Sequence, residues 1–162
     1  MEIKEFIINY TSSDFDRIKF DWNGKHGDDL EDPNMDFRIN VCECVIKDFS
    51  IAPDELILDL YEELSKSSKE TWGVYRNYHL IAQEVLNRGR VKYLVNYLKG
   101  ATQSFDTIIA SGRVKLEEEE KREIIDHVES RRDNDPIGEN PKYIELALRR
   151  FAVNNENGKE VK

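Results

Sequence analysis

At 162 residues the chain is long enough for one domain with a true hydrophobic core, so neither disulfide nor metal staples are required. The 39% hydrophobic and 35% charged fractions, with a mean hydropathy of −0.68, describe a chain with a core and a thoroughly solvated surface. A formal charge of −9 argues against sequence-independent nucleic-acid binding, which needs surplus Lys and Arg to displace counterions from phosphates, and favours a basic partner instead.

No apolar run approaches the length of a membrane span, and MEIKEFIINY lacks the basic start and cleavage site of a signal peptide, so a soluble, cytoplasmic protein with no membrane role is expected. Cys42 and Cys44 point in nearly opposite directions on a helix and read as free thiols of a reducing compartment. The charge is unevenly spread. Residues 71 to 115 carry 7 basic and 2 acidic side chains, net +5, whereas residues 1 to 70 are net −10 and residues 116 to 162 net −4.

In chain order, Ile3, Phe6, Ile7 and Tyr10 follow the i, i+3, i+4, i+7 spacing of a short helix, while Ile18, Phe20 and Trp22 alternate as an extended piece would. Asn23 to Asp32 reads as a solvated acidic loop, and residues 1 to 35 together form a peripheral N-terminal segment. Residues 36 to 70 form an acidic helical pair. Its first helix carries Cys42, Val45, Ile46 and Phe49 and ends near Ser50. The second is opened by Pro53, Asp54 and Glu55 and buries Ile57, Leu60, Tyr61 and Leu64.

Residues 71 to 115 are a basic, glycine-punctuated centre. Val74, Tyr78, Ile81, Ala82 and Val85 form one stripe, and Val91, Leu94, Val95 and Leu98 a second. Phe105, Ile108 and Ile109 form a short third, with Gly89, Gly100 and Gly112 as left-handed stops. Residues 116 to 154 supply the last helices, one with Ile124, Ile125 and Val128 inward and one with Ile144, Ala147, Leu148 and Phe151, joined by a loop at Asp133 to Pro141. Residues 155 to 162 form a tail. The expectation is a mostly α, compact single-domain bundle over residues 1 to 154 with six or seven helices.

Several constellations suggest chemistry. Asp32, Asn34, Asp36, Asn40 and Glu43 occupy calcium-loop positions 1, 3, 5, 9 and 12, but Phe37 stands where the loop needs a glycine, so an acidic lead-in to a helix is preferred. His79, with Tyr75 and Glu84 nearby in sequence, could serve as a base. A satisfied, partly buried imidazole is the plainer reading, and His26 and His127 read as surface residues. Tyr75, Tyr78, Tyr93 and Tyr97 among Arg76, Arg88, Arg90 and Lys92 suggest either a stacking platform for single strands or the rim of a core. Glu117 to Glu120 suggest either a phosphate-like cluster or a solvated helix start. No nucleophile elbow, phosphate loop, dinucleotide fingerprint or zinc spacing occurs. No catalytic residue, cofactor or metal is assigned.

Asn87-Arg88-Gly89-Arg90-Val91-Lys92-Tyr93-Leu94-Val95-Asn96, followed by Ser104 to Gly112, resembles the motif of a bacterial family of small acidic helical proteins known from a DNA-mimic member. Asn87, Gly89, Tyr93 and Asn96 fit the Asn-Gly-Gly-Phe type pattern, with Arg88 in place of a glycine and Arg90 in place of the aromatic. Gly100 and Gly112 join them as structural positions, and the similarity spans residues 75 to 130. It implies a mostly helical domain, often dimeric, that offers carboxylates to a DNA-binding protein. The sequence therefore points to an acidic protein-binding module that blocks a basic partner, a DNA-binding protein or a nuclease toxin, without contacting nucleic acid itself. The candidate partner-binding residues are Asp28, Asp29, Glu31, Asp32, Asp59, Glu62, Glu63, Glu117, Glu118 and Glu120. An enzyme using His79 and a helical scaffold protein are the alternatives.

Overall fold

The computed structural model describes residues 2–132 and 142–152, without the side chains of Arg132, Lys142 and Ile144, so the loop expected at Asp133 to Pro141 and the tail from 155 to 162 lie outside the described residues. The protein is mostly α. Among the described residues there are eight α-helices, three short 3-10 turns and no strand. Two compact units, Met1–Lys115 and Leu116–Lys162, divide where the basic centre gives way to the C-terminal helices.

The first unit holds α1 (Ile3–Ile8), α2 (Met35–Val45), α3 (Asp54–Thr71), α4 (Tyr78–Gly89), α5 (Leu94–Ala101) and α6 (Phe105–Ser111). The longest, α3, packs on α4, α5 and α6, while α1 packs on α2. Its apolar stripe is the one expected, with Ile57, Leu60, Tyr61 and Leu64 all buried and Leu56 added. Each such side chain contributes about 1.5 to 3 kcal/mol. Pro53 takes the N-cap position, just outside the first turn, and Asp54 and Glu55 follow it at the positive end of the helix dipole. In the second unit α7 (Glu118–Arg132) packs on α8 (Lys142–Phe151), with Ile124, Val128, Ala147 and Phe151 buried.

The extended piece alternates as expected, and two other expectations are corrected. Ile18 is buried and Phe20 and Trp22 are half-buried, so the alternation is real, but the segment pairs with no strand. It follows a 3-10 turn at Ser12–Arg17 and is pinned through its backbone, the Phe20 N–H donating to the Glu63 carboxylate at 2.7 Å.

The central glycines are not left-handed stops, since among the described glycines only Gly24 and Gly27 have positive φ. Gly89 closes α4 and Gly100 lies inside α5. A Cβ at Gly89 would come within 3.0 Å of the Tyr93 ring, and one at Gly100 within 3.0 Å of the Tyr61 ring. These positions are glycine because aromatic ring atoms occupy the space a Cβ would take. Tyr61 in turn stacks on Tyr78 and Tyr97 and donates its hydroxyl to the Tyr97 carbonyl at 2.8 Å.

The stripe Phe105, Ile108 and Ile109 faces out, not in, with exposures of 74%, 46% and 53%. The inward face of α6 is Thr107, Ala110 and Ser111, whose small size lets the helix sit close to α4 and α5. Ser104 caps it, accepting from the Thr107 N–H at 3.1 Å.

The only left-handed residue among the described non-glycines is Trp72, at φ 56 and ψ 36, immediately after α3. A bulky side chain there costs roughly 1 to 2 kcal/mol, and glycine follows one residue late, at Gly73. The indole is 88% exposed, so burial of the ring does not offset that strain.

Candidate functional site

Spacing alone places Glu55, Asp59 and Glu62 on one face of α3, at i, i+4 and i+7. The 3-10 turn at Ser12–Arg17 borders this face, and together they form an open cleft of 310 Å³ lined by Ser12, Phe15, Glu55, Asp59, Glu62 and Glu63. Two carboxylates anchor its floor. Asp59 accepts from the Tyr10 hydroxyl at 2.6 Å. Glu63, with its side chain 1% exposed, takes the Phe20 N–H on one oxygen and Lys66 on the other at 2.6 Å.

The electrostatics follow from this crowding. Burial pushes the Asp59 carboxyl above the usual range, and the neighbouring Glu55, Glu62 and Glu63 push it the same way, although the Tyr10 hydrogen bond opposes them. The Tyr10 hydroxyl is driven up in turn, first by burial and then by Asp59. Lys66 bridges Glu62 and Glu63 at 2.7 and 2.6 Å; burial works against its charge, but the two carboxylates raise its affinity for the proton. One lysine beside four carboxylates leaves the cleft with unbalanced negative charge.

The ten acids singled out in the sequence separate into groups. Asp59, Glu62 and Glu63 come together in the cleft, joined by Glu55, whose signal was the i, i+4, i+7 spacing. Asp28, Asp29 and Glu31 are exposed on the loop around the 3-10 turn at Gly27–Asp29. Asp32 is internal: its side chain is 1% exposed and paired with the equally buried Arg38, so it holds the fold and is not available to a partner. Glu63 is likewise structural at both oxygens. Glu117, Glu118 and Glu120 belong to the second unit, where the Glu117 N–H donates to Glu120 and Lys121 pairs with Glu118.

The other constellations dissolve into structure. Met35–Val45 is already helical, Asp32 is held by Arg38, and Glu43 accepts from Tyr75 and Arg76, so the calcium-loop residues do not converge. Tyr78, Tyr93 and Tyr97 are buried, which removes the stacking platform. Arg88 is a structural hub that donates to Glu84, Asp54 and the carbonyls of Ala52 and Phe49. Tyr93 donates to the other oxygen of Asp54, and these bonds lower the Asp54 carboxyl against the opposing effect of burial.

With Glu84 committed to Arg88 and Tyr75 to Glu43, the acid-base set imagined around His79 is not assembled. Its buried Nδ1 has no partner among the described residues. His26 is exposed, and its Nδ1 donates to the Glu70 carbonyl at 3.1 Å. Burial, then Arg131, lowers His127. Among the described residues no helix is long and apolar enough to cross a membrane, and no cluster of ligating side chains could hold a metal ion. No family model matches the chain, and no significantly similar curated protein or solved structure was found.

Proposed function

We propose that the chain is an acidic protein-binding module that occupies the basic surface of a partner, in the manner of a DNA mimic or an immunity protein. The observation that carries this reading is the cleft on α3, where Glu55, Asp59, Glu62 and Glu63 line one 310 Å³ space and burial, then the neighbouring carboxylates, raises the Asp59 carboxyl. Such a cluster is unfavourable when empty and becomes favourable when an arginine or lysine side chain enters, because the repulsion it relieves is already built into the free protein. Calorimetric titration with an arginine-rich peptide tests it: saturable binding that weakens steeply with added salt supports the reading, and salt-independent binding removes it.

A second reading, a scaffold that associates with a second copy of itself, is favoured by the exposed Phe105, Ile108 and Ile109 of α6. Sedimentation over a range of concentrations decides it. An Ile108→Glu variant then abolishes any dimer formed through this face.

A further inference from the structure

At the opposite end of α3 two cavities adjoin, and Met35 and Thr71 line both. One, of 560 Å³, is bounded by His26, Gly27, Leu30 and Trp72. The other, of 260 Å³, is bounded by Arg38, Ile39, Leu64 and Val74 among others. Both volumes lie near the range of about 300 to 1,000 Å³ typical of small-molecule sites, and the walls are mostly apolar with a few hydroxyls and one cation, as such sites are.

We propose that this pair of cavities binds a small neutral aromatic molecule carrying one hydrogen-bond acceptor, its ring against Trp72 and its acceptor on the Nε–H of Arg38. Two independent features point there. The first is the strained residue: Trp72 adopts a left-handed conformation, with 88% of its surface exposed at the mouth of the larger cavity. Strain that packing does not reward is characteristic of a functional position.

The second is an unsatisfied donor. Arg38 is 1% exposed, and its terminal nitrogens are committed to the Ile18 and Lys19 carbonyls and to Asp32, yet its buried Nε has no partner among the described residues. A buried donor without an acceptor is costly, and an acceptor on a ligand would satisfy it. The ligand is neutral because Asp32 already balances the guanidinium and the chain as a whole is acidic. Its body is aromatic because Trp72 offers a flat face and Met35 a thioether. The walls are braced for such a role, since His26 packs at a tilt against Trp22, ring centroids 4.9 Å apart, and its bond to Glu70 ties the loop to the end of α3.

The test titrates the full chain with 2-acetonaphthone and with 2-ethylnaphthalene, which share a ring system and differ in the acceptor, and follows the Trp72 indole and Met35 methyl resonances by NMR. The expected result is saturable shifts at both residues, with the ketone binding roughly 2- to 10-fold more tightly, the worth of one hydrogen bond. Trp72→Gly should weaken ketone binding at least about tenfold while raising the melting temperature, because glycine suits the left-handed position. Absence of saturation, equal affinity for the two compounds, unchanged binding by Trp72→Gly or a lower melting temperature for that variant would each overturn the assignment.

Discussion

The two ends of α3 present opposite chemistries on one rigid element. Near its start the outward face carries Glu55, Asp59 and Glu62 around a cleft with excess negative charge; at its far end the chain turns through a strained Trp72 beside an apolar cavity. In both places local stability is given up, as carboxylate repulsion at one end and backbone strain at the other. Carboxylates elsewhere in this unit show what the same groups do as structural elements: Asp32 is sealed against Arg38, and Asp54 is shared by Arg88 and Tyr93. The difference separates acids that hold the fold from acids that line an open cleft.

That separation can be broken experimentally. The largest effect belongs to Asp32→Asn, which leaves Arg38 buried and uncompensated and should cost about 3 to 5 kcal/mol in urea unfolding. Gly100→Ala, which drives a methyl into the Tyr61 ring at the middle of α3, should cost about 1 to 3 kcal/mol by the same assay. Trp72→Gly should act in the other direction and stabilise by about 1 kcal/mol.

The smallest effect is at Asp59, and its sign depends on pH. A carboxyl raised in the folded state contributes stability that is present below its unfolded pKa and lost as pH rises through the folded value, so at neutral pH the ionised Asp59 is unfavourable. Asp59→Asn keeps an acceptor for Tyr10 and should stabilise the half-buried site by a few tenths of a kcal/mol at pH 7, with no gain below about pH 4. Thermal melts across that range check it. Asp54 is the reverse case: its lowered carboxyl contributes stability above its unfolded pKa that is lost as pH falls through the folded value.

Much of the architecture was legible because amphipathic spacing is local. The stripes Ile57-Leu60-Tyr61-Leu64 and Tyr78-Ile81-Ala82-Val85 face inward as their period requires. Periodicity states which residues share a face and not which face turns inward. On α6 the close approach of neighbouring helices selects the small residues Thr107, Ala110 and Ser111 and turns Phe105, Ile108 and Ile109 out.

The glycines are ambiguous in sequence for a related reason. A glycine needed for positive φ and one needed to leave room for an aromatic ring look alike in sequence, and only the tertiary position of Tyr61 and Tyr93 distinguishes them. In the acid cleft, the helical spacing of Asp59 and Glu62 extends to Glu55, whereas the commitment of Glu63 to Phe20 crosses 43 positions of sequence and has no local signal. Trp72 likewise carries no mark in sequence beyond a glycine one residue too late.

The most direct test of the account is calorimetric titration of an arginine-rich peptide into the native chain and into an E55Q/D59N/E62Q variant, each at low and at high salt. The account predicts saturable, salt-sensitive binding to the native chain and its loss in the variant, whose thermal stability should be no lower than the parent's. Equal binding by the two proteins, or binding indifferent to salt, would contradict it.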